Sequence, residues 1–169
     1  RGNRDKRLAS IEKRVALLAK GRGGIPAKGH KCPPDMIYIP AGKFIFGSKS
    51  PETTISQSKQ KTAAAAAFCI DKYEYPNIPG VRPRAIVKRS EAESLCEAQG
   101  KMLPTSAEWE KAARGTDGRL FPWGKTWKAG LANYSTNKGG LNGIAPSGSY
   151  PRGASPYGVQ DMAGNLWEI

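Results

Sequence analysis

The sequence predicts an α+β fold that is rich in loops, with two short helices, short antiparallel strands and a basic amphipathic helix in front. Three observations carry this. Gly 20 and Pro 13 in 169 residues favour short elements joined by long connections. Two brief apolar runs sit either side of a small turn, at Met36–Pro40 and Phe44–Gly47. Two Ser/Thr-x-x-Glu patterns, at Ser90/Glu93 and Thr105/Glu108, mark helix starts. The length allows one domain, or one domain with an appendage. No run of 18 apolar residues is present to cross a membrane.

The charge divides the chain. Residues 1–31 carry ten Lys and Arg against Asp5 and Glu12, a net of +8 within the total of +13. That segment has no Phe, Trp or Tyr, so it lacks the stacking groups that single-strand binding uses, which argues against nucleic acid as the partner. Within it, Leu8, Ile11, Val15 and Leu18 are spaced three, four and three residues apart, an apolar seam over two heptads. Residues 1–20 are therefore expected to form a basic amphipathic, coiled-coil-like helix, and 21–31 a Gly/Lys linker. A helix so short is marginal alone in water and needs a surface. Two kinds of surface fit: a protein partner or second copy, or the helix's own domain.

From Cys32 onward the elements follow in order. The apolar runs read as a strand, a turn and a second strand, and Lys49–Lys61 as an exposed polar loop. Ala63–Ala67 favours helix by propensity yet runs into Phe68-Cys69-Ile70, which reads as strand. Ser90 is expected to cap a helix over about Glu91–Gln99, with Ala92, Leu95 and Cys96 inward. Thr105 is expected to cap a second over about Ser106–Arg114, with Trp109, Ala112 and Ala113 inward and Gly115 ending it. Beyond Gly115 the chain reads as loop, and Leu166–Ile169 as an apolar strand with an open edge.

A search for catalytic groups returns little. The single His30 sits in the linker, and no phosphate-cradling Gly-rich loop with its Lys is present. One His and three scattered Cys argue against a Ser-His-Asp hydrolase and a self-contained zinc site. Cys32, Cys69 and Cys96 read as structural thiols or as halves of disulfides with partners elsewhere.

Six motifs in order carry a resemblance. Cys32–Phe44, Phe68–Glu74, Gly100–Gly115, Phe121–Gly124 with Ala132-Asn133, Pro156–Val159 and Asp161–Glu168 resemble the formylglycine-generating, or sulfatase-modifying factor, family across residues 32–169. The resemblance implies a C-type-lectin-like fold whose long loops are ordinary, here incomplete at its C-terminus. It implies calcium held by side-chain oxygens of Asp161 and Glu168 and by carbonyls of Met162, Gly164 and Leu166, a mixed shell of hard oxygens that suits the ion. A second calcium site would use Asn133 and the carbonyl of Tyr134, but its acidic ligand should fall near Gly139, where the chain has none. Asn133-Tyr134-Ser135 also fits the glycosylation acceptor pattern.

The same resemblance places the catalytic cysteine pair of the copper-dependent oxidases downstream of the Asp161–Glu168 motif. None of Cys32, Cys69 and Cys96 matches that pair, so copper is expected only if such a pair follows Ile169. A relative using non-haem iron needs a His-rich site, and His30 stands alone. The sequence thus leads first to a non-catalytic module that scaffolds or docks within an extracytoplasmic assembly, whether periplasmic, outer-membrane-associated or secreted. The alternative is an oxidase that converts a substrate cysteine to formylglycine.

Overall fold

A computed structural model describes residues 32–48, 60–85, 88–134 and 143–167. The elements are β1 (Met36–Ile39), β2 (Gly42–Phe46), β3 (Lys61–Ala65), β4 (Phe68–Asp71), α1 (Arg89–Ala98), α2 (Ser106–Arg114) and a 3-10 turn at Pro151–Gly153. This is the α+β arrangement predicted from the sequence. The N-terminal helix seam at Leu8, Ile11, Val15 and Leu18 lies outside the described residues, as do most of the 49–61 loop and Glu168.

The strands pair as two antiparallel ribbons. β1 runs against β4, with Met36 opposite Asp71 and Ile39 opposite Phe68. β2 runs against β3, with Phe44 opposite Ala63 and Phe46 opposite Lys61. The alanine run is therefore strand, and its accessibility alternates: Ala63 and Ala65 are half-buried, Ala64 and Ala66 exposed, Ala67 buried. Pairing with β2 overrides helix propensity, which is a weak preference against a full ladder of backbone hydrogen bonds. Small side chains also leave room on that face for Phe44, which is 2% exposed.

α2 forms as predicted. The Thr105 hydroxyl accepts from the Glu108 N–H, and the Glu108 carboxylate accepts from the Thr105 N–H at 2.8 Å, so both halves of the capping box are made. Gly115 ends the helix at φ 70°. α1 corrects the other capping prediction. It starts at Arg89 with Lys88 at its N-cap and no side-chain cap bond. Ser90 lies within the first turn, and Glu93 instead pairs with Arg89 at 2.8 Å. Of the residues expected inward on α1, Ala92 is buried, while Leu95 and Cys96 are half-buried.

The core gathers Ile39, Phe68, Ala112, Ala113, Val159 and Met162, with Ile37, Ile70, Trp109 and Tyr157 packed around it. α2 thus covers both ribbons. Lys111, on the same helix, is 1% exposed and donates to the Pro40 carbonyl at 2.5 Å and the Gly42 carbonyl at 3.2 Å. It holds the β1–β2 turn onto the helix. Arg114 does the same for the end of β2, donating to the Gly47 carbonyl at 3.1 Å while pairing with Glu110, which accepts from the Gly47 N–H.

Cys32 and Cys69 are joined to each other in a disulfide, a pairing that the sequence left open. The bond ties the chain just before β1 to the centre of β4. Residues 163–166 form bends, with Gly164 (φ 79°) and Asn165 (φ 61°) in left-handed backbone. The strand expected at Leu166–Ile169 lies half outside the described residues.

Candidate functional site

Two adjoining features make the candidate site: a buried hub of loop side chains and an open groove beside it. The hub is built on Asn165, which is 3% exposed. Its Oδ1 accepts from Asn133 Nδ2 at 2.9 Å and from the Ala145 N–H at 2.9 Å. Its Nδ2 donates to Glu74 Oε2 at 2.6 Å and to the Ala145 carbonyl at 3.2 Å. Its backbone N–H donates to the Asn133 carbonyl at 2.7 Å. Asn133, 4% exposed, donates in turn to the Gly143 carbonyl at 2.8 Å. One amide side chain thereby fastens four loop segments, satisfying groups that would be costly to bury unpaired.

Glycine is required here. A Cβ at Gly164 would lie 2.2 Å from the Asn133 carbonyl oxygen, and the residue has φ 79°. The segment predicted to bind calcium therefore meets Asn133, which the sequence assigned to a separate site. Asp161 sits at the next turn with φ 55° and is 8% exposed. Its Oδ2 accepts from the Gly148 N–H at 2.6 Å. Burial pushes its carboxyl above the usual range, opposed by that hydrogen bond. Met162 is buried in the core and Leu166 is half-buried. Tyr134 packs its ring edge-on against Trp127 at 4.5 Å, extending a cluster with Phe121 and Trp123.

The groove has a volume of about 510 Å³ and lies between β4, the C-terminal end of α1, the N-terminal end of α2 and the 159–162 segment. Phe68, Ile70, Trp109, Val159 and Met162 give it an apolar floor. Its charged groups are engaged in holding the walls. Lys101 Nζ donates to Asp71 Oδ1 at 2.8 Å and joins α1's exit to β4. Glu108 completes the α2 cap, and Glu74 accepts from the hub. Cys96 lines the same wall as a free thiol, and burial, reinforced by the Asp71 charge, pushes its pKa up.

Among the described residues, no three of His, Cys, Asp or Glu converge as a metal cluster. For calcium, Asp161 supplies one hard anionic oxygen in a buried setting where a cation would relieve its desolvation. Its predicted companion Glu168 lies outside the described residues. For copper the described thiols do not fit: Cys32 and Cys69 are bonded to each other, which leaves Cys96 single.

A family model for the sulfatase-modifying factor enzyme 1-like domain matches residues 77–169, more than half of the chain. The chain belongs to that family. The sulfatase-modifying-factor match covers α1, α2, the hub and part of the groove. The chain is 43% identical over 96 residues to a hercynine oxygenase of Mycolicibacterium smegmatis, covering 54% of this chain and 22% of that protein. It is 33% identical over 107 residues to the inactive C-alpha-formylglycine-generating enzyme 2 of Bos taurus, covering 58% of this chain and 33% of the relative. It is 35% identical over 147 residues to the formylglycine-generating enzyme of Mus musculus, covering 74% of this chain and 39% of the relative. The chain thus spans well under half the length of these three relatives.

Sequence reasoning singled out Asp161, Gly164 and Asn133 as calcium ligands rather than as members of this loop network, and did not single out Asn165, Glu74 or Lys101. Asn165 stood inside a quoted motif, and its single-residue setting after Gly164 was the available signal. Glu74 and Lys101 act through contacts across 91 and 30 residues of chain, which local spacing does not encode.

Proposed function

We propose that this sulfatase-modifying-factor domain docks rather than reacts, serving as a structural component of a larger extracytoplasmic assembly. One observation carries the reading. The charged groups around the groove are committed to its walls: Asp71 to Lys101, Glu108 to the α2 cap, and Glu74 to Asn165. Carboxylates already bonded within the walls are not free to exchange protons with a bound substrate, which favours docking over general acid–base work. The relative named inactive C-alpha-formylglycine-generating enzyme 2 supports the same reading. The Cys32–Cys69 disulfide supports placement in an oxidising compartment. No described helix is long and apolar enough to cross a membrane.

The relatives named formylglycine-generating enzyme favour the second reading, an oxidase of a substrate cysteine. On that reading a thiolate pair outside the described residues would supply the redox chemistry when copper is bound. The described residues would contribute the groove's shape and the hub's rigidity. Calcium belongs to either reading as a structural ion. Asp161 would hold it with Glu168 and the carbonyls of Met162, Gly164 and Leu166; a separate second site at Asn133 and the Tyr134 carbonyl would lack its acidic ligand near Gly139.

The test is Asp71→Ala. A wall carboxylate lowers stability when removed, here by about 1 kcal/mol for a partly exposed pair. A carboxylate retained for chemistry more often raises stability when removed, because active sites are strained. A lower thermal midpoint supports the wall role of Asp71 on which the docking reading rests, and a raised one removes that support.

A further inference from the structure

The aromatic cluster beside the hub presents one ring to solvent. Phe121 and Gly124 exchange backbone hydrogen bonds at 2.9 and 3.0 Å. The tight turn between them stacks Phe121 on Trp123, with ring centroids 5.3 Å apart and 5° between the planes. Trp123 Nε1 donates to the Thr126 carbonyl at 3.2 Å, which fixes the next turn. Trp127 then packs at a steep angle against three rings: Tyr134 at 4.5 Å, Phe121 at 5.4 Å and Trp123 at 5.5 Å. So held, it is still 44% exposed. An indole fixed this firmly loses little rotamer freedom when a ligand covers it.

The charge around this ring has one sign. Residues 118–134 contain Arg119, Lys125 and Lys128 and no Asp or Glu. Arg119 is taken by Asp117 at 2.9 Å. Lys125 and Lys128 are exposed and form no ion pair among the described residues. Neither lysine lines the groove, nor does Trp127, so this surface is separate from the one discussed above. A fitting partner has an apolar face for the indole and anions for the two ammonium groups. A pyranose ring offers a face of C–H bonds to the negative face of an aromatic ring. Carboxylate or sulfate groups on such a sugar meet the lysines with charge-assisted hydrogen bonds. Single-stranded nucleic acid fits less well, because it stacks successive bases on successive rings. Here Phe121 and Trp123 are stacked on each other, and Trp127 is the one ring of the cluster that is exposed.

We infer that Trp127, Lys125 and Lys128 form a binding surface for an acidic oligosaccharide. The indole carries the sugar ring and the two lysines hold its anionic groups.

The test is isothermal titration of the full chain with three probes: a galacturonate oligosaccharide, its carboxyl-reduced neutral form, and a sulfated galactan oligosaccharide. Each is titrated into the native chain, Trp127→Ala, and Lys125→Gln with Lys128→Gln, and thermal midpoints establish that all three are folded. The expected result is that the native chain binds an acidic probe and binds the neutral form more weakly. The tighter of the two acidic probes names the anion. Trp127→Ala should weaken that binding about tenfold or more, the loss expected of a central aromatic contact. The double lysine variant should also bind more weakly and with a shallower dependence on salt. Trp127→Ala leaves the net charge of +13 unchanged, so a glycan held only by basic residues elsewhere binds it as well as the native chain. Equal binding by those two would overturn the inference, as would no binding of either acidic probe. Tighter binding of an oligothymidylate, lost in Trp127→Ala, would also overturn it and assign the surface to nucleic acid. The double lysine variant is altered only at exposed side chains, so it keeps the test decisive if Trp127→Ala unfolds: unchanged binding there would overturn the inference by itself.

Discussion

Lys111 carries its ammonium into the core with two backbone carbonyls as its hydrogen-bond partners, Pro40 and Gly42. Burial pushes its pKa down. The variant Lys111→Met keeps the aliphatic packing but leaves both carbonyls unsatisfied, which should cost about 2 kcal/mol in denaturant unfolding. An unchanged midpoint would show that the turn does not need the clamp. Asp161 gives a pH prediction. Its folded pKa is raised, so without divalent ions its contribution to stability is fully present below the ordinary carboxylate value and is lost as pH rises through the folded value. Asp161→Asn retains an oxygen acceptor for Gly148 and removes that titration. In chelator at neutral pH the variant should melt above the native chain. With calcium the order should reverse, because the native carboxylate then has a cation. If calcium shifts neither midpoint, the ion has no place at Asp161. The motif of Asp161 and Gly164 was legible, but neither the contact of Gly164 with the Asn133 carbonyl nor the bond from Asn165 to Asn133 was. It joins two motifs that each look self-contained in sequence.

At the scale of elements, local chemistry was read correctly where it is local and missed where a distant partner decides. Thr105 and Glu108 form a capping box because both halves lie within one turn. Ser90 and Glu93 show the same spacing, yet α1 begins two residues earlier and Glu93 turns to Arg89. The alanine strand exists because β2 lies beside it, a contact absent from the run itself. The Cys32–Cys69 bond closes a separation of 37 residues. Replacing both cysteines with serine should cost about 4 kcal/mol by loss of that constraint on the unfolded chain. The measurement is denaturant unfolding of the oxidised chain against the double variant, and equal midpoints would contradict a structural role. Thr105→Ala should cost about 1 kcal/mol, the typical value of a lost cap.

Across the whole molecule, the basic charge of the sequence conceals a largely apolar groove whose few charged groups are mostly carboxylates, and the Gly and Pro excess is put to use in loops fastened by Asn165. The family was legible from motif order, because those motifs include the α2 cap and the Gly164 contact that hold the loops. The groove was not legible, because its lining comes from five separated segments of chain. The docking reading is tested most directly by incubating the full-length protein aerobically, with copper, with a peptide carrying a substrate cysteine, and following aldehyde formation by mass spectrometry. The account predicts a peptide that keeps its cysteine. Aldehyde produced in proportion to enzyme and time would contradict it and make this domain the frame of a working oxidase.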